Sequence, residues 1–214
     1  MDAVRRWFET GPAKIWCELP RLQGFDAYSP SRGDAKDPYV DDGAGPCVLC
    51  MLSFPDEASL RAAIGGTAFR RALAGLPSNV SMTADAMVRK FYSVDGEAEE
   101  QVLEAPFSYM VRYHRPAEDE RAFVESYIAT HPALLARLPK IRSVLCYFPI
   151  AWSDPNGLAS AQYMLGNEVA FESIDDFNAA MESPVRHEVR AHYRKFPPFS
   201  GRNTHYPMLR TRLF

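Results

Sequence analysis

Residues 107–149 read FSYMVRYHRPAEDERAFVESYIATHPALLARLPKIRSVLCYFP, and this stretch decides the fold. Phe107 to His114 has the aromatic and β-branched side chains of a strand, and Arg115-Pro116 closes it because proline cannot continue a ladder. The acidic run Glu118, Asp119 and Glu120 suits the positive end of a helix dipole. Phe123, Val124, Tyr127, Ile128, Leu134, Leu135 and Leu138 then recur at helical spacing. Leu138-Pro139 ends the helix, and Ile141 to Phe148 is the next strand. Tyr127 and His131 stand one turn apart on the face that carries Phe123 and Val124. Pro132 removes a backbone donor beside the histidine, which predicts a kink or restart that turns the imidazole inward.

Working outward, the run YHRPAEDERAFVESYIATHPALLARLP is followed at residues 167–184 by NEVAFESIDDFNAAMESP. These runs resemble the EthD-like family of the dimeric α+β barrel superfamily: a strand closed by an Arg-Pro turn, a helix carrying a Thr-His pair and then Leu-Pro, a later strand of E-V-x-F type, and a helix with small residues and Ser-Pro. The resemblance covers Phe107 to Phe214 well and the first hundred residues weakly. It implies an α+β fold of two ferredoxin-like repeats, whose antiparallel sheets form a dimeric α+β barrel within one chain. The superfamily includes monooxygenases, lactone isomerases, cyclases, dehydratases and decarboxylases, so the resemblance implies a pocket more sharply than a reaction.

The earlier half repeats the plan. Cys17-Glu18-Leu19-Pro20 matches Cys146-Tyr147-Phe148-Pro149, FPDEASLRAAI (54–64) matches FESIDDFNAAM (171–181), and Met87-Val88-Arg89 matches Met208-Leu209-Arg210. Three matches in one order argue for a tandem duplication. Only MDAVRRWFETGP precedes the first match, so the early copy is expected to lack its opening strand and most of its first helix; an alternative makes Lys14 to Pro20 that strand. The expected domains are a truncated repeat at 1–95, an acidic linker at 96–106 and a complete repeat at 107–214. The sheet edge left by the absent strand calls for a cover, from the early loop or another chain. Within the first repeat, CVLCMLSF (47–54) reads as a strand and Met82 to Val94 as another. Between Phe54 and Ala74 lie two short helices, the second capped by Thr67, and Arg21 to Pro46, rich in Gly, Pro, Asp and Ser, reads as a long connection that could serve as a lid.

Composition excludes several classes. Twenty-four basic against 27 acidic residues give a formal charge of −3 with no basic stripe for nucleic acid, and the apolar runs are too short for a membrane. The first residues lack the apolar core of a secretory signal, so the expectation is a cytoplasmic protein whose four cysteines are free thiols. Cys47 and Cys50 form a CxxC, but in a strand residues three apart point to opposite faces and cannot share a metal. His187 and His192 are ~140° apart around a helix, poorly placed to chelate. There is no GxGxxG, P-loop, haem motif or GxSxG elbow, so no metal or organic cofactor is expected.

The candidate catalytic residues are His131, Tyr127 and His205. A histidine on an apolar helix face is either a hydrogen-bonded core residue or an acid-base group, and the family resemblance favours the second. Tyr127 would orient it or donate to an oxyanion. In NTHYPMLRTRLF (203–214), His205 and Tyr206 alternate faces, so one of them points toward the helices. The candidate substrate-binding residues are Arg112, Arg142, Tyr147, Trp152 and His192. Arg112 lies inside an apolar strand, where a guanidinium needs a carboxylate from the protein or from a ligand. Arg142 begins the next strand. Tyr147 and Trp152, with Trp16 and Phe25, would give an aromatic wall or simply core. His192 also suits the negative end of its own helix. The expected activity is a cofactor-independent isomerase or lyase-like reaction on a conjugated, carboxylate-bearing small molecule such as an aromatic ring-cleavage product. The alternatives are ester or lactone hydrolysis, cofactor-free oxygenation of a phenol, and non-catalytic binding of an aromatic ligand. The chain could act alone or as a homodimer.

Overall fold

The structure is a computed structural model that describes residues 2–31, 35–36, 38, 42, 45–94 and 105–214. The first half contains α1 (Asp2–Thr10), α2 (Pro12–Cys17), β1 (Gly24–Pro30), β2 (Leu49–Ser53), α3 (Glu57–Ile64), α4 (Thr67–Leu73) and β3 (Met87–Tyr92). The second contains β4 (Phe107–His114), α5 (Glu120–Leu135), β5 (Ile141–Pro149), β6 (Tyr163–Phe171), α6 (Ile174–Met181), α7 (Pro184–Tyr193) and β7 (Asn203–Arg212). All seven strands form one antiparallel sheet in the order β2-β1-β7-β4-β6-β5-β3. Within the second half the order is fourth, first, third, second strand, the ferredoxin-like arrangement.

Period-two alternation along β4 sorts the interior into two faces. Phe107, Tyr109, Val111 and Tyr113 pack with Phe123 and Tyr127 of α5 and Phe177 of α6. Met110, of opposite parity, packs with Tyr28 and Met208 on the concave face, away from the helices. Capping fixes where the helices begin. Asp119 accepts the Ala122 N–H at the start of α5, and Ser173 does the same for Asp176 in α6. Asp56 at the start of α3 accepts the Ser59 N–H, so the strand-to-helix turn is built alike in both halves. Helix α5 continues past Pro132 to Leu135 rather than restarting there.

The first half differs from the sequence expectation in four places. Residues 2–17 form two helices, whose Phe8 and Trp16 are buried beside Phe25 and Phe69, so a helical layer exists where most of one was expected to be absent. Cys17-Glu18-Leu19-Pro20 is consequently a helix end and turn, not the counterpart of Cys146 to Pro149, and Lys14 to Pro20 is not a strand. The strand lies instead at Gly24–Pro30, inside the expected connection, paired between β2 and β7. The strand expected over Met82 to Val94 shortens to Met87–Tyr92, and the N-cap of α4 is Gly66 rather than Thr67.

Among the described residues both sheet ends, β2 and β3, pair on one side only. Met51 of β2 and Met87 and Phe91 of β3 nevertheless pack on the same buried group, Ala105, Leu145, Tyr147 and Ala170. The sheet therefore curls until its two edges share side-chain contacts. If the second half's strand order is laid on the first, the place of an opening strand falls between β2 and β3. The acidic linker expected at 96–106 lies outside the described residues except for Ala105 and Pro106. Among the described residues no helix is long and apolar enough to cross a membrane.

Candidate functional site

Helix α5 buries Phe123, Tyr127, His131 and Leu135 along one stripe, with Pro132 buried beside it. The stripe places the His131 ring 4.7 Å from that of Tyr127 and edge-on to Phe196 at 5.1 Å, with 4% of the residue exposed. His131 Nδ1 lies 3.0 Å from His192 Nδ1, and His192 Nε2 lies 2.7 Å from the Thr130 hydroxyl. One ring of the pair must donate and the other accept, so the two cannot both be charged. Burial pushes the His131 pKa down to about 3, with the neighbouring His192 adding to the effect. His192 is also lowered, by burial and then by Lys195.

His131 and Tyr127 line a cleft of about 70 Å³ between the helices and the sheet, walled by Tyr109, Val111 and Tyr113. His205 lines the same cleft from β7, 8% exposed and stacked on Tyr109 at 5.7 Å. Its Nδ1 lies 2.7 Å from Asp42 Oδ2, and the same oxygen accepts the His205 backbone N–H at 2.7 Å. A carboxylate can only accept, so Nδ1 carries a proton, and in the neutral ring it is Nε2 that carries the lone pair. The two imidazoles thus reach one cleft from opposite walls, each held at Nδ1 by a different partner.

Several residues of the cleft were not singled out from sequence. Asp42 and Pro38 come from the segment read as a candidate lid, parts of which lie outside the described residues. Asn203 lines the cleft with its Oδ1 buried and unbonded, and Asn167 lines it while donating to the Leu145 carbonyl at 3.1 Å. A polar Asn in the buried run YMLGNEVAF was a signal that could have been used. Arg186 and Arg190, one turn apart on α7, add two guanidinium groups at the rim. Tyr127 is fully interior and stays a phenol, its pKa raised by burial and by Tyr113, with which its hydroxyl is hydrogen-bonded.

Four of the expected substrate-binding residues lie elsewhere. Arg112 is 3% exposed but has the parity of Met110, so the sheet separates it from His131. Its guanidinium donates to the Val111 and Asn167 carbonyls and lies 5.3 Å from the Tyr147 ring, so among the described residues its direct partners are carbonyls and aromatic faces rather than a carboxylate. The backbone at Gly166 makes room for it, since a Cβ there would sit 3.1 Å from the guanidinium. Tyr147 shares that concave face and donates to the fully buried Glu168, which also accepts from Ser108 at 2.6 Å. Burial raises Glu168 against the lowering effect of these donors and of Arg112. Arg142 faces solvent 3.9 Å from Glu172, and Trp152 packs in the first-half core under Arg61. The expected aromatic wall of Tyr147, Trp152, Trp16 and Phe25 therefore does not border the cleft. Among the described residues no group of three or more His, Cys, Asp or Glu could hold a metal ion.

No protein-family model and no curated protein sequence matches this chain. Solved structures do match it. An anthrone oxidase-like protein superposes with TM-score 0.63 and 11% identity over 98% of this chain and 86% of its own. A candidate monooxygenase from Lactobacillus acidophilus NCFM gives TM-score 0.52 and 9% identity over 97% and 88%. An EthD-family protein from Bacillus halodurans gives TM-score 0.37 and 21% identity over 46% of this chain and 96% of its own. The two full-length superpositions and the curled antiparallel sheet show that this chain has the mixed α+β architecture of the dimeric α+β barrel fold.

Proposed function

We propose that the cleft is the active site of a small-molecule enzyme that moves a proton on a flat, conjugated, enolisable substrate. The observation that carries this reading is the convergence of the His131–His192 and His205–Asp42 pairs on one mostly apolar cleft. His205 is the general base. Its Nε2 takes a proton from carbon or oxygen of the substrate, and Asp42 pairs with the imidazolium that forms. His131, kept neutral by burial, hydrogen-bonds the developing oxyanion without carrying charge, and Asn203 and Asn167 add polar contacts. Return of the proton from His205 to a different substrate atom completes an isomerisation. Arg186 and Arg190 take over the carboxylate-binding role that the sequence suggested for Arg112.

The size of the cleft constrains the substrate. An apolar cavity of ~150 Å³ holds benzene, so a ring enters this one, of about 70 Å³, only as residues lining it move aside.

A second reading, cofactor-free oxygenation, is favoured by the two full-length neighbours, an anthrone oxidase-like protein and a candidate monooxygenase. It shares the first step, deprotonation by His205, and diverges when the carbanion meets oxygen. A thermal-shift screen of enolisable aromatic ketones, including anthrone, followed by turnover and oxygen-uptake assays on the compounds that bind, tests both. Turnover lost in His205→Gln with binding retained supports the site. Oxygen uptake matching substrate loss selects oxygenation over isomerisation. Equal turnover in wild type, His205→Gln and His131→Gln removes the proposal, and binding with no turnover of any ligand makes the chain a binding protein.

A further inference from the structure

The Thr130 hydroxyl is exposed, His192 is half-buried and His131 is 4% exposed, so three groups joined by contacts of 2.7 and 3.0 Å lead from solvent to the cleft. Ring packing also holds both imidazoles, since His131 lies against Tyr127 and Phe196, and His192 contacts Phe196. A bond between two Nδ1 atoms has a property that a bond to a carbonyl lacks: the proton can belong to either ring. In one arrangement His131 carries its proton on Nδ1 and gives it to His192, whose Nε2–H donates to Thr130. His131 Nε2 is then an acceptor. In the other, the Thr130 hydroxyl donates to His192 Nε2, His192 Nδ1–H donates to His131, and His131 Nε2–H is a donor.

We propose that Thr130, His192 and His131 form a proton wire that interconverts these arrangements, so that His131 gives or takes a proton in the cleft while remaining neutral. This rests on the reading of the cleft as an acid-base site. In the accepting direction a substrate X–H bond breaks as Nε2–H forms on His131. The His131 Nδ1–H bond breaks as Nδ1–H forms on His192, the His192 Nε2 proton passes to the Thr130 oxygen, and the hydroxyl proton leaves to water. One proton enters, one leaves, and no imidazolium is stranded in an apolar cleft where burial disfavours it. His192 and Thr130 touch no substrate; they act through His131.

The test needs no substrate. With histidine labelled by ¹⁵N, the five imidazoles are few enough to assign, and exchange of the His131 ring proton with water can be followed by NMR. Cutting the wire with His192→Phe or Thr130→Val should slow that exchange at least ~10-fold, since exchange must then wait for local opening. His192→Gln separates relay from packing. Its amide keeps a hydrogen bond to His131 but cannot pass a proton through, so slow exchange there too supports the wire, whereas wild-type exchange in His192→Gln overturns it. Unchanged exchange in Thr130→Val, which leaves both rings in place, also overturns it. If exchange slows in all three variants while turnover does not, the wire stands and the catalytic role assigned to His131 falls.

Discussion

Asp42 Oδ2 accepts both the Nδ1–H and the backbone N–H of His205, each at 2.7 Å, from a position 163 residues earlier in the chain. The carboxylate thereby fixes both the tautomer and the orientation of the ring. Asp42→Asn keeps the shape of the side chain but can present N–H to Nδ1, which moves the ring proton to Nε2. Turnover should fall by ~10²–10⁴ with ligand affinity nearly unchanged. Comparison of kcat and Kd, with ¹⁵N shifts of His205 reporting the tautomer, checks this. A parallel loss of binding would show that Asp42 shapes the cleft rather than the base.

The buried His131 gives folding a pH dependence of known sign. Its pKa is about 3 in the folded chain, against ~6.5 for an unperturbed imidazole. Between those values the unfolded chain binds the extra proton. The stability is therefore fully present above pH ~6.5 and is lost progressively as pH falls toward 3, by ~4–5 kcal/mol across the whole window. His131→Phe should flatten that slope. Urea titrations of both proteins at pH 7, 5.5 and 4.5 should show the wild type losing more than the variant, and equal slopes would contradict the burial argument.

Carboxylate recognition separates two sets of arginines. Arg190→Ala should weaken binding of a naphthoate probe ~10-fold, the loss of one charge-assisted contact. Arg112→Met should leave it within ~2-fold, because the sheet lies between that side chain and the cleft. Calorimetric titration of both variants decides the matter, and the reverse order of effects would move the anion site to the concave face.

Tyr127 and Tyr113 also divide structural from chemical roles. With its hydroxyl hydrogen-bonded to Tyr113 inside the core, Tyr127→Phe should cost ~1–2 kcal/mol of stability through a lost buried hydrogen bond. Tyr113→Phe removes the other partner of the same bond and should cost a similar amount, so a loss of turnover that differs between the two variants reports which hydroxyl faces the ligand. Denaturant melts and kcat for the two variants separate these outcomes.

The parts legible in the sequence were those set by local rules. Acidic capping and the 123, 127, 131, 135 stripe defined α5 and put His131 and Tyr127 on its buried face. Alternation in β7 brought His205 to the same side. Alternation was also the signal neglected for Arg112: Tyr109, Val111 and Tyr113 point to the helices, so their neighbour cannot. Strand β1 escaped because Gly24 and Pro30 bound it within a run of turn-forming residues, and its pairing with β7 is a long-range choice. Asp42 was invisible for the same reason. His192 was readable as a dipole-matched cation, but its partner belongs to another helix, and only packing of α5 on α7 turns it into half of a histidine pair.

The most direct test of proton transfer in the cleft is hydrogen exchange at the acidic carbon of a bound enolisable ketone, followed by proton NMR in D₂O under nitrogen. The measurement reports the first step common to isomerisation and oxygenation. Wild-type protein should speed deuterium entry well above the buffer rate, with the acceleration lost in His205→Gln and strongly reduced in Asp42→Asn. Exchange at the buffer rate for every ketone that binds, or acceleration that survives His205→Gln, would contradict the account.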